Sequence, residues 1–166
     1  TVAAEATAAG YTFSGWSTED ATVTGGKFTM PAANVELVGS WTANENTAYK
    51  VEHYLQDLDG EGYTLKDTEN LTGVTDTEAK ATPKTYEGFT YNSAVEGTKV
   101  SGIIAGDGSL VLKLYYDRNS YKVTYAYTNT VPGASDLPTE ATYKYGAEVT
   151  VAAEATAAGY TFSGWS

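Results

Sequence analysis

The stretch TVAAEATAAGYTFSGWS, Thr1–Ser17, returns without a single change as Thr150–Ser166. The copies start 149 positions apart (Thr1 to Thr150), so the chain reads as one period of a tandem array and the start of another copy. A run this long, containing Tyr, Phe and Trp, does not recur by chance. An enzyme has little use for a near-identical copy of itself placed end to end, whereas a rod is built that way.

Composition points the same way. With 166 residues, 42% hydrophobic and 13% aromatic, the chain can fill one or two small cores but no large one. Its 14 Tyr, 17 Gly and recurrent Thr favour strands and turns over long helices. The net charge of −11 argues against nucleic acid or an anionic membrane as partner, because phosphate binding draws its affinity from Lys and Arg. Cysteine is absent, a trait of Gram-positive surface proteins and unlike small eukaryotic extracellular modules. No segment approaches the roughly 18 apolar residues of a membrane span, and Thr1–Gly10 lacks a basic leader. A signal peptide and anchor are therefore expected outside this stretch.

A weaker repeat lies inside the period. YKVEHY (Tyr49–Tyr54) and YKVTYAY (Tyr121–Tyr127) open two segments, and an aromatic landmark follows each at similar spacing, Phe89 in one and Tyr160 in the other. GYTFSGW (Gly10–Trp16), GGKF (Gly25–Phe28) and NVELVGSW (Asn34–Trp41) run parallel to GFTY (Gly88–Tyr91), SGII (Ser101–Ile104) and SLVLKLYY (Ser109–Tyr116). This order predicts two paralogous modules, A and B, in alternation: residues 1–45 as the later part of A, 46–118 as a complete B, and 119–166 as the opening part of the next A.

Within each module the pattern predicts strands. Tyr121, Val123, Tyr125 and Tyr127 share one face, and so do Leu110, Leu112 and Leu114. DLDGEG (Asp57–Gly62) and VPGASDLP (Val131–Pro138) read as turns. Thr75-x-x-Glu78 fits a capping box, but Pro83 cuts it short, so each module has room for one short helix or turn at most. The linkers Thr42–Ala48 and Asp117–Ser120 are short and not Gly/Ser-rich, which predicts restricted orientation between modules.

These residues resemble known families. Gly10, Tyr11, Phe13, Gly15, Trp16, Phe28, Met30, Pro31, Asn34, Val35, Leu37 and Trp41 are similar to the internalin-type B repeat (Listeria–Bacteroides repeat) of bacterial surface proteins, and the second copy repeats the pattern through Trp165. Module B resembles mucin-binding-protein (MucBP) repeats at Tyr54, Asp57, Asp59, Gly60, Leu71–Gly73, Gly88, Phe89 and Tyr115–Tyr116. The resemblance implies small, mostly β, β-grasp-like domains (α+β at most) strung as an elongated rod along cell-wall-anchored, extracellular adhesins.

Candidate sites are few. Asp57, Asp59 and Glu61 offer hard oxygens for calcium, but they lack the rest of a calcium loop and read better as a solvated turn. Asn44–Asn46 and Asp117–Asn119 are polar enough to hold a bridging ion, with ordinary linker chemistry favoured. His53, the only histidine, shares a face with Val51 and Leu55 and reads as a satisfied, half-buried side chain. One His and no Cys leave neither a thiol nucleophile nor a multi-histidine metal centre, so no cofactor and no catalytic residue is expected. Trp16, Trp41 and Trp165 invite a sugar-stacking reading, yet they sit in landmark strands where a Trp fills a small core. The expected core is Tyr11, Phe13, Trp16, Phe28 and Trp41 in A, with Phe89, Ile103, Leu112 and Leu114 in B. Tyr54, Tyr63, Tyr86 and Tyr143 stand as exposed-side glycan contacts. A Lys–Asn isopeptide staple, known in surface modules, needs a Lys, an Asn and an acid buried together, which sequence leaves open.

The reading is a non-catalytic tandem-repeat stalk that projects a distal binding domain from the cell wall. The alternative is a module that contacts host mucin-type glycans or glycoproteins. The expected partners are neighbouring repeats of the same chain, with no nucleic acid and no membrane insertion. Because each A segment holds only part of the pattern, the two ends are also expected to associate head to tail between chains, building a shared A module.

Overall fold

The computed structural model describes residues 1–166 and contains ten strands and no helix. The central segment is organised by its two longest alternating runs. β3 (Thr47–Gln56) pairs antiparallel with β4 (Tyr63–Gly73) and parallel with β8 (Val111–Arg118), and β6 (Phe89–Tyr91) closes the other edge of β8. The sheet order is β4-β3-β8-β6, so the first and last strands of the segment lie side by side at its centre. A second small sheet joins β5 (Glu78–Lys80) to β7 (Ser101–Ile103).

Alternation along β3 and β8 builds the core directly. Val51 and His53 point inward from β3, and Leu112, Leu114 and Tyr116 from β8, with Ala79, Ile104 and Leu110 covering them. All ten buried residues of the chain lie between Thr47 and Tyr116. At His53/Tyr54 the β3–β4 register slips, leaving Lys66 as the extra residue of a bulge.

The flanking segments carry shorter pairings. β1 (Tyr11–Phe13) pairs with β2 (Trp41–Ala43), and β9 (Ser120–Val123) pairs with β10 (Ala141–Lys144), both antiparallel. Neither segment has a fully buried side chain.

Several expectations are corrected here. Ile103 is 56% exposed and its neighbour Ile104 is buried, because β7 ends at Ile103 and alternation turns the next side chain inward. Trp41 is exposed, and Tyr11, Phe13, Trp16 and Phe28 are only half-buried, since no second layer covers the β1–β2 ribbon. Phe89 is likewise half-buried, at the fringe of the core. Leu112 and Leu114 are completely enclosed. His53 is fully rather than half buried. The capping-box residues Thr75–Glu78 form a turn that runs straight into β5. The linkers are also shorter than expected. Thr42–Ala43 and Thr47–Ala48 belong to strands, and only Asn119 separates β8 from β9.

Candidate functional site: the two inter-module joints

The two polar junctions are built alike. On one side of each lies a Gly-aromatic-Thr segment, Gly10-Tyr11-Thr12 or Gly88-Phe89-Thr90, paired with a strand that an asparagine follows directly. Thr12 Oγ1 donates to Asn44 Oδ1 at 2.7 Å, and Thr90 Oγ1 donates to Asn119 Oδ1 at 2.8 Å. The backbone amide of Asn44 donates to Gly10 O at 2.8 Å, and that of Asn119 to Gly88 O at 2.8 Å. Each asparagine carbonyl then accepts from the following unit, from Thr75 N at 2.9 Å and from Tyr145 N at 2.8 Å. One residue therefore holds the strand pair on one side and the turn on the other.

The receiving turns match as well. Thr77 N donates to Val74 O at 3.2 Å, and Ala147 N donates to Lys144 O at 3.0 Å. Their third positions, Asp76 and Gly146, have φ of +66° and +80°, the left-handed region that favours Gly, Asn and Asp. Glycine is required on the strand side for a second reason. A Cβ on Gly10 would overlap the Cα of Gly106, and one on Gly88 would overlap the ring of Tyr145.

Side chains reinforce each joint differently. In the first, Thr75 Oγ1 donates to Gly10 O at 2.8 Å and shares a 2.7 Å contact with Thr47 Oγ1. The Tyr11 hydroxyl donates to Asp76, which pushes the phenol up from its ordinary value. In the second, the Arg118 guanidinium sits 4.7 Å over the Phe89 ring and donates from Nη1 to Tyr145 O at 2.8 Å. Tyr145 meets Phe89 edge-on at 6.0 Å. Asp117 accepts from Tyr63 OH at 2.6 Å and from Asn92 Nδ2 at 2.6 Å. The side-chain oxygens of Asn44, Asn119 and Asp117 thus all have protein donors.

The remaining candidate residues fall in the central segment, from β3 to β8. Asp57 Oδ1 accepts from Thr64 Oγ1 at 2.7 Å and Asp59 Oδ1 from Glu61 N at 2.9 Å, around a turn with Gly60 at φ +81°. Asp57, Asp59 and Glu61 do not converge on a common point. His53 bonds Tyr116 OH through Nδ1 at 2.9 Å and Glu69 Oε1 through Nε2 at 2.6 Å. The Tyr116 oxygen also accepts the Lys84 amide at 2.9 Å, so its proton goes to Nδ1 and Nε2–H faces the carboxylate. Glu69 is held below the usual carboxylate range by that bond, with Lys84 adding to it. No lysine or asparagine is among the buried residues, and an isopeptide staple has no site there.

Of the four tyrosines weighed as glycan contacts, Tyr86 is corrected. It packs against Tyr116 at 4.9 Å as part of the core fringe and gives its hydroxyl to Asp67 at 2.6 Å. Tyr54 stacks on Tyr115 at 5.0 Å and donates to Glu52 at 2.5 Å, and Tyr63 meets Tyr115 edge-on at 5.2 Å. Tyr143 lies in β10 opposite Tyr121. All four are half-buried.

In the sequence alone the two asparagines stand out only as linker polarity. Their signal is positional: Asn44 follows Trp41 by three residues and Asn119 follows Tyr116 by three, each closing the strand that pairs with a Gly-aromatic-Thr segment.

The geometry defines an all-β chain of several small sheets with two equivalent asparagine-centred joints. Comparison with known families agrees for the flanking segments. Residues 1–45 match the divergent InlB B-repeat domain, and residues 121–166 match the Listeria–Bacteroides repeat domain. Repeat domains of this kind are found in extracellular surface proteins and are typically non-catalytic. No curated protein and no solved structure matches the chain.

Proposed function

We propose that this chain is a non-catalytic spacer from the stalk of a cell-wall-anchored bacterial surface adhesin, holding a distal binding domain away from the cell. The observation that carries the reading is the equivalence of the two joints. A joint made of one asparagine with three partners restricts rotation, and repetition of the same joint adds length in a defined direction. In this reading the units are 1–45, 46–118 and 119–166, with 46–118 as the MucBP-like unit. Its central parallel pair of first and last strands supports a β-grasp-like ancestry without the grasping helix.

The test is a distance measurement between spin labels at exposed positions on either side of each joint, Asn34 with Lys66 and Lys66 with Asp136. Narrow distance distributions for both pairs are the expected result. Broad distributions would remove the basis of a directed spacer.

A glycan-binding role is the second reading, favoured by the half-buried aromatic group Tyr54, Tyr115 and Tyr63 on module B. A mucin-type glycan array separates the two. Saturable binding that is lost in Tyr54→Ala would make module B a binder, and an array without signal leaves the spacer role.

A further inference from the structure

The central segment is entered and left through two strands that run side by side in the same direction. β3 starts at Thr47, soon after the first joint asparagine, and β8 ends at Arg118, directly before the second. Their parallel register runs unbroken from Lys50 opposite Val111 to Leu55 opposite Tyr116. The order β4-β3-β8-β6 puts both strands inside the sheet rather than at an edge.

This direction decides how the segment carries load. Tension along the polypeptide enters β3 at its first residue and leaves β8 at its last. In a parallel pair those residues lie at opposite ends of the ladder. The strands are therefore drawn past each other, and the bonds between them are loaded together. In an antiparallel pair the same tension would meet at one end and open the ladder bond by bond.

Side chains hold the ladder on both faces. On the inner face Val51 and His53 are buried with Leu112, Leu114 and Tyr116. On the outer face Tyr54 and Tyr115 are register partners and stack at 5.0 Å. Glu52 stands opposite Lys113, whose Nζ lies 5.8 Å over the Tyr54 ring. Stacked rings and opposite charges across a strand pair stabilise its register. A slip of one residue would turn the buried set outward. The exit end is reinforced as well. Arg118 N donates to Gln56 Oε1 at 3.1 Å and Arg118 Nε to Gln56 O at 3.1 Å, so side chains carry the ladder past its last pair. At the other end Lys50 N donates to Leu110 O at 3.0 Å.

We propose that residues 47–118 act as a mechanical clamp, in which the β3–β8 ladder bears tension in shear and keeps the unit folded under pull. The clamp deepens the spacer reading and rests on it for the source of the tension, whereas the shear geometry rests on the topology alone. It gives the Tyr54–Tyr115 stack a role that needs no ligand.

The chain has no cysteine, so introduced thiols define the pulling axis. Asn46→Cys with Ser120→Cys loads the two strands in shear. Asn46→Cys with Ser109→Cys pulls both strands from the same end. All three positions are exposed. In single-molecule force spectroscopy of the whole chain, the first axis is expected to need roughly twofold or more the force of the second at equal loading rate, since forced unfolding follows the unfolding barrier. Along it, release is expected in one step of roughly 220 Å, the extended length of the segment less its folded span. Matching thermal unfolding of the two double variants checks the fold. Equal forces on the two axes, or release in several smaller steps along the first, overturn the clamp. The spacer reading is judged separately by the spin-label distances. Narrow distances with equal forces leave a spacer without a clamp, and a high shear force with broad distances leaves the clamp without a directed spacer.

Discussion

Asn44 and Asn119 occupy equivalent places at the two ends of the central unit. Each accepts a threonine hydroxyl on its side chain, donates its amide to a glycine carbonyl, and offers its own carbonyl to the next turn. Their linkers differ in length and their reinforcing side chains differ in chemistry, yet the backbone geometry coincides. An alanine at either position keeps both backbone bonds and deletes the threonine contact. Each substitution should cost about 0.5–1.5 kcal/mol at its joint. Residual dipolar couplings across the joint should show wider relative motion, with module B melting unchanged. If the couplings across Asn44→Ala matched the unmodified chain, the side chain would not govern the joint.

The glycines give a sharper perturbation. Gly88→Ala places a methyl into the Tyr145 ring at a residue with φ +76°, so the two units must separate or the strand must shift. Loss of the amide protection of Asn119 and Tyr145 in hydrogen exchange is expected, with Leu114 still protected. Retained protection at Tyr145 would mean that the joint absorbs the methyl.

Core energetics should be concentrated in one unit. Leu114→Ala empties a fully enclosed site and should destabilise by about 2–5 kcal/mol in denaturant unfolding. Phe89→Ala should cost less than the roughly 3–5 kcal/mol typical of a fully buried aromatic, because Phe89 is half-buried at the joint. Phe13→Ala should leave the main unfolding transition in place. Equal losses for Leu114→Ala and Phe13→Ala would show a shared core across the joint.

The His53 network predicts acid sensitivity. Hydrogen bonds from His53 to Glu69 and from Tyr86 to Asp67 hold both carboxylates below their ordinary values of 4.5 and 3.8. Their contribution is present above those values and fades as pH falls through the lowered ones. Unfolding midpoints should therefore decline in acid, and less so in Tyr86→Phe, where the Asp67 donor is gone. An identical decline in Tyr86→Phe would remove Asp67 from the account.

At the other end of the scale, Tyr54 and Tyr63 are pushed up to about 12, the first mainly by its bond to Glu52 and the second mainly by burial. Stability from their protonated forms is intact below the ordinary value of 10.0 and is lost as pH rises through about 12. Spectroscopic titration of the tyrosinate band should show a late step near pH 12 from these two groups, with Glu52→Gln lowering the Tyr54 part of it.

The duplicated segment separates what sequence determined from what the tertiary structure decided. In both copies, the glycine turn, the Trp-to-Ala hydrogen bond and the edge-on Phe–Trp pair at 5.0 and 4.7 Å are reproduced. These interactions close within a span of 12 positions, so identical sequence suffices. The alternation that placed Leu112 and Leu114 inward is equally local, and so is the repeat that aligned Gly10 with Gly88. Whether Tyr-Thr-Phe is a strand is not local: Tyr11–Phe13 is one through its pairing with Trp41–Ala43, because ladder bonds require a partner distant in sequence. The exposure of Ile103 beside buried Ile104 and the double duty of Asn44 and Asn119 depend on distant segments in the same way. The sequence set each segment's turns, faces and aromatic clusters, and only tertiary contact decided which strand edges were paired and in what register.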